Sequence, residues 1–138
     1  KQIQLSQDIF HTIYQQFDGH TWYVQYILNL LYSAAPAIIT EQDVNNAIVH
    51  ILQREQDLFH TTYDKLTENQ AALLMAIAKE GTIKAVNAGD FIRKYSLKGT
   101  SSVNKALEYL INKELVYHTP QGYIIYNRFF GFWLKKLM

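Results

Sequence analysis

Between residues 100 and 137 the spacing of the apolar side chains changes twice, and each change selects an element. Val103, Ala106, Leu107, Leu110 and Ile111 recur at the 3.6-residue period of a helix with one buried face. "LVYH" and "YIIY" then bring β-branched and aromatic residues in place of that period. "TPQG" between them puts Pro120 and Gly122 at the second and fourth positions of a type I turn, so the run reads as a hairpin. After Asn127, a good N-cap residue, Phe129, Phe130, Trp133, Leu134 and Leu137 return to helical spacing. A helix, a hairpin and another helix in so short a run leave few folds open.

The residues upstream narrow the choice. Thr67 and Gln70 have capping-box spacing and open a helix bearing Leu73, Leu74, Ile77 and Ala78, which Gly81 stops. Asn87 and Asp90 suit the start of a further helix with Phe91, Ile92 and Tyr95. The loop "SLKG" then leads to Thr100 or Ser101 as the next cap. Three helices followed by a hairpin describe a winged helix-turn-helix domain, with residues 101–112 as its recognition helix and the hairpin as its wing.

The first part of the chain reads as helices with clear punctuation. Ser6 suits an N-cap before Ile9, Phe10, Ile13, Tyr14 and Phe17, and Gly19 in "FDGH" can take left-handed geometry at the helix end. Thr21 is the expected cap of a second helix whose apolar residues are Trp22, Tyr23, Tyr26, Ile27, Leu30 and Leu31. Pro36 makes "AAPAII" an extended break. Thr40 and Asp43 then form a capping box with Asp in place of Glu, opening a face of Val44, Ala47, Ile48, Ile51, Leu52, Leu58, Phe59 and Tyr63 that no proline or glycine interrupts. Unbroken, that helix would run about 24 residues and roughly 36 Å, long enough to bridge two modules. The expected organisation is mainly α, a helical bundle over 1–65 linked by this helix to a winged helix over 66–138.

Charge divides the same way. Up to Lys65 there are three basic against seven acidic residues, and beyond it ten against five, so the second half is the better match for a polyanion. A hydrophobic content of 49% suffices for real cores. The lack of cysteine excludes disulfides, thiolate zinc sites and a cysteine nucleophile, and suits a reducing cytoplasm. No membrane span or secretory leader is expected, and a start at Lys1 suggests a fragment.

Taken together, "LTENQAALLMAIAKEG", "FIRKYSLKGTSSVNKALEYLINKELV" and "YIIYNRFFGFWL" resemble the C-terminal region of archaeal-type AAA+ ATPases, P-loop enzymes also found in anaerobic bacteria, and "FDGHTWYVQYILNLLY" resembles their lid subdomain. The resemblance implies a parent that hydrolyses ATP with Mg²⁺ in a core absent from this stretch, and a lid and winged helix coupling nucleotide state to a DNA or protein partner. Asn127 and Arg128 stand where that family has Asp-Pro, and Thr21 stands where its lid has proline. No glycine is followed by lysine, so there is no phosphate-binding loop and no catalysis is expected here. Gly19, His20 and Thr21, at a helix start, are the lid residues left to approach nucleotide, against the simpler reading that His20 and Trp22 pack the bundle.

Other chemistry finds little support. The histidines at 11, 20, 50, 60 and 118 lack metal-ligand spacing, no metal is expected, and no nucleophile elbow occurs. For DNA, Lys94 and Lys98 could meet phosphates while Ser102, Asn104 and Lys105, with Glu108 and Asn112, would face the groove. A recognition helix with one lysine and no arginine predicts weak, salt-sensitive binding, with protein docking as the other role. The alternative to the ATPase reading is a winged-helix transcription regulator whose N-terminal helices dimerise or sense a ligand.

Overall fold

The computed structural model describes residues 5–34 and 38–137; the centre of the expected break, 35–37, lies outside the described residues. The order is α1 (Gln7–Gln16), α2 (Thr21–Ala34), α3 (Glu41–Asp64), α4 (Glu68–Glu80), α5 (Gly89–Lys94), α6 (Thr100–Asn112), β1 (Val116–Thr119), β2 (Gly122–Ile125) and α7 (Arg128–Lys136). Contacts divide the chain into two units, Lys1–Arg54 and Glu55–Met138.

In the first unit the Ser6 hydroxyl accepts the Ile9 N–H at 3.1 Å, capping α1. The chain leaves α1 through Asp18 and Gly19, both at positive φ, with the Gly19 N–H donating to the Tyr14 carbonyl at 2.8 Å. The cap of α2 is not Thr21 but the residue before it: the His20 carbonyl accepts the Val24 N–H at 3.2 Å, and Thr21 is already helical. At α3 the expected box forms, with Asp43 accepting from the Thr40 N–H at 2.9 Å and Thr40 Oγ1 accepting from the Asp43 N–H at 3.2 Å. The unit buries Ile13, Phe17, Tyr23, Val24, Ile27, Leu31, Ile39, Val44, Ile48, Ile51 and Leu52.

Three aromatics expected in that core are on the surface: Phe10, Tyr14 and Trp22, the last 56% exposed. Val24 is buried beside Tyr23, Ile27 and Leu31, which centres the buried face of α2 so that Trp22 falls on the opposite side. Tyr14 turns its ring over Gly19, where a Cβ would lie 2.6 Å from the ring.

The second unit begins inside α3. Phe59 is buried against Phe130 (5.1 Å between centroids) and Trp133 (5.8 Å), with Tyr63 at 6.3 Å from Trp133. This cluster draws the last turns of α3 into the winged helix, upstream of the 65/66 division expected from the caps. Phe59 sets the buried face, so its neighbour Leu58 is exposed. The Thr67–Gln70 box forms at α4, which buries Leu73, Leu74, Ile77 and Ala78, and Gly81 ends it at φ +80°. Neither Asn87 nor Asp90 caps α5, whose N-cap is Ala88 without a side-chain bond. Neither Thr100 nor Ser101 caps α6, which starts after Gly99 at φ +143°. At α7 the Asn127 side chain accepts from the N–H groups of Phe129 and Phe130, as expected, and Phe129, Phe130, Trp133 and Leu134 are buried. Ile111 and Leu137, expected inside, are exposed.

The hairpin pairs Val116 with Ile125, Tyr117 with Ile124, His118 with Tyr123 and Thr119 with Gly122. A third chain segment joins it. Ile83 and Tyr123 exchange N–H to carbonyl bonds of 3.1 and 2.8 Å, adding a one-residue bridge to the outer edge of β2. Gly122 makes that approach possible, since it sits at φ +136° and a Cβ there would fall 2.6 Å from the Ile83 carbonyl oxygen. Gly122→Ala should therefore cost about 2–4 kcal/mol, combining backbone strain with a steric clash. Gly81→Ala, at φ +80° and ψ −61° but with open space around it, should meet no clash and cost only the backbone strain, about 1–3 kcal/mol. Urea unfolding of the two variants checks the difference.

Candidate nucleic-acid interface

Helix α6 turns Val103, Ala106, Leu107 and Leu110 inward, which places Thr100, Ser101, Asn104, Lys105, Glu108 and Asn112 on the surface. Lys98 and Ser102 line one shallow cleft at the starts of α4 and α6, together with Glu68, Asn69, Ala72 and Ser96. Glu68 sets a carboxylate beside Lys98, expected to meet phosphate, and Ser102, expected to face the groove. Of the five candidate contacts, then, the fold gathers Lys98 and Ser102 in this cleft and exposes Asn104 and Lys105 along α6.

Lys94 belongs to a different cluster. Its ammonium meets Glu80 at 2.9 Å, linking the end of α5 to the end of α4, and lies 5.3 Å from the centre of the Tyr95 ring. Hydrogen bonds from Lys94 and then Tyr95 hold the Glu80 carboxyl below its usual range. The same bond to Glu80 raises Lys94, while burial first and Glu80 second push the Tyr95 hydroxyl up. The pair is on the surface, where an ion pair is weak, so a phosphate would meet Lys94 in competition with Glu80. Beside it, Asp90 pairs with Arg93 across one helical turn.

The wing carries no charge at its tip, where Pro120 and Gln121 follow Thr119; the Thr119 hydroxyl donates to the Gly122 carbonyl at 2.8 Å and accepts the Gln121 N–H at 3.2 Å. Its two faces differ. Val116 and Ile125 are buried on one, continued by His118 stacked on Tyr123 at 4.3 Å. The other bears Tyr117, Ile124 and, one step past β2, Tyr126, whose N–H donates to the Leu115 carbonyl at 3.0 Å. Tyr117 and Tyr126 meet edge to face at 6.0 Å and are 53% and 58% exposed. Recognition-helix reasoning passes over this pair, although the two-residue turn alone places Tyr117 opposite Ile124.

At the other candidate site, Gly19 forms the turn after α1, His20 is exposed with its ring edge to face against Tyr23 at 5.0 Å between centroids, and Thr21 is the exposed first residue of α2. His20 thus contacts the bundle without being buried in it. His60 lies edge-on to Trp133 at 4.7 Å, in the other unit. Among the described residues no group of three His, Asp or Glu side chains could hold a metal ion, and no helix is long and apolar enough to cross a membrane.

Three helices, a hairpin with a bridging third segment and a helix-turn-helix loop define a winged helix domain. The family model described as "probable winged helix domain" matches residues 57–136, more than half of the chain, and the chain belongs to that family. No curated protein and no solved structure matches it. The matched stretch begins two residues before Phe59, within the last turns of α3.

The Glu80–Lys94 pair gives this domain an acid-sensitive contact. With its carboxyl held low, Glu80 contributes stability that is present above the usual carboxylate range and lost as pH falls through the lowered value. Lys94, held high, loses its contribution only as pH rises beyond the usual lysine range. Glu80→Gln should therefore flatten the acid limb of a melting-temperature profile between neutral and strongly acid pH while leaving its shape near neutrality unchanged.

Proposed function

We propose that this chain is a non-catalytic C-terminal part of an archaeal-type AAA+ ATPase, a helical lid and a winged helix that couple ATP state to a DNA or protein partner. The observation that carries the reading is α3. It supplies Val44, Ile48, Ile51 and Leu52 to the buried residues of the first unit and Phe59 to those of the second, so one helix has side chains in both cores. The motif resemblance over both units supports the same reading. Lid closure on nucleotide, a movement common among nucleotide-dependent enzymes, would act on α3 and through it on the winged helix. ATP and Mg²⁺ belong to the parent's core. Gly19, His20 and Thr21, at the exposed start of α2, are the lid groups nearest in chemistry to a phosphate. A cytoplasmic setting suits a chain without cysteine.

Spin labels at Asn45 and Gln121 in the full-length protein test the coupling. The expected result is a distance distribution that shifts when a non-hydrolysable ATP analogue is added. A single unchanged distribution would remove the coupling role.

The surface of α6 predicts how the winged helix treats duplex DNA. With Lys98 and Lys105 as its principal phosphate contacts, binding should be weaker than about 10 μM near physiological salt, with a slope of about −2 in log K against log salt. Nanomolar, sequence-specific binding by a dimer would instead support the transcription-regulator reading.

A further inference from the structure

The outward face of the wing holds two tyrosines, Tyr117 and Tyr126, that are both more than half exposed. Tyr117 and Ile124 are directly paired across the hairpin, and Tyr126 continues the same face, because side chains alternate along a strand. On the far edge of β2, Ile83 pairs with Tyr123, so it shares the opposite, core-side face. Its neighbours Thr82 and Lys84 are both exposed, and the backbone of Lys84 lies against Gly122 at the end of the hairpin. Gly122 is buried under the Ile83–Lys84 backbone, so the open part of the face is Tyr117, Ile124 and Tyr126. The result is a shallow aromatic platform with a cation at its rim.

Its charge selects the occupant. Neither 82–84 nor 115–126 contains an aspartate or glutamate; of the acids just beyond, Glu80 is bonded to Lys94 and Glu114 is exposed next to Lys113 in sequence. An apolar protein surface has no use for a lysine rim, whereas unstacked bases offer π-faces to phenol rings and phosphates to a lysine. Duplex DNA hides its base faces and would gain only the lysine. We propose that the Tyr117–Ile124–Tyr126 face, with Lys84 at its edge, is a stacking platform for single-stranded nucleic acid, distinct from the α6 surface through which a winged helix would read a duplex. The inference does not depend on the ATPase parent, since every residue in it belongs to the matched domain.

Fluorescence anisotropy of the whole chain at low salt tests it, with labelled oligothymidylate and oligouridylate of about twelve nucleotides, within the usual span of such sites, a duplex of the same length, and heparin as a polyanion without bases. Single strands should bind more tightly than duplex, and the stronger of the DNA and RNA arms identifies which strand the face prefers. Tyr117→Ala and Tyr126→Ala should each weaken single-strand binding about 5- to 100-fold, the range of base–aromatic stacking, while Tyr117→Phe stays near the parent value. Lys84→Ala should lower the salt slope of single-strand binding by about 1, whereas Lys105→Ala on α6 should lower the slope of duplex binding and cost single strands less than Lys84→Ala does. Both tyrosines are more than half exposed, so circular dichroism should show their variants folded. No binding of either strand would overturn the proposal and leave the face to a protein partner. Equal binding of heparin, insensitivity to the tyrosine variants or loss of binding in Lys105→Ala would overturn it as well.

Discussion

The winged helix depends on one aromatic contact that is distant in sequence. Phe59 near the end of α3 packs on Phe130 and Trp133 of α7, and α7 is itself fixed by the two N–H groups that Asn127 caps. Aromatic rings of this size bury more apolar area than any other side chains and favour tilted or offset approaches such as these. Holding α7 in place also holds Ile125 beside Gly131 and so seats the hairpin. The domain therefore begins in the last turns of a helix whose earlier turns serve another core.

That arrangement leaves each element one committed side and one open side. Helix α6 spends its stripe from Val103 to Leu110 on the core and offers a polar surface with one lysine, one glutamate and two asparagines. The ion pairs add to the contrast, because Glu80 sets a carboxylate beside Lys94 and Asp90 one beside Arg93. The hairpin spends Val116 and Ile125 inward and presents tyrosines outward. A surface poor in phosphate contacts and a surface rich in rings are suited to different ligands.

Local signals were readable from the residues, and non-local ones were not. The boxes at Thr40 and Thr67 and the caps at Ser6 and Asn127 depend on partners two or three residues away, so spacing reveals them. The caps at His20, Ala88 and Gly99 rest on backbone geometry and leave no side-chain mark, which is why Thr21, Asn87 and Thr100 look like better starts than they are. The bridge at Ile83 is one residue long and has no period to detect. Periodicity also gives the direction of a buried face but not its width, so Phe10, Trp22, Leu58 and Ile111 fall outside it. Among the candidate contacts, the exposure of Asn104 and Lys105 follows from the α6 stripe alone, whereas the pairing of Lys94 with Glu80 joins residues fourteen apart and needs the fold.

We propose that single-stranded nucleic acid meets this domain at the tyrosine face in preference to the recognition helix. The most direct measurement is a ¹⁵N chemical-shift titration of the chain with unlabelled oligothymidylate. The account predicts the largest shifts at the amides of Tyr117, Ile124, Tyr126 and Lys84, with those of Asn104, Lys105 and Glu108 nearly still. Shifts concentrated along α6, with the hairpin unmoved, would contradict it.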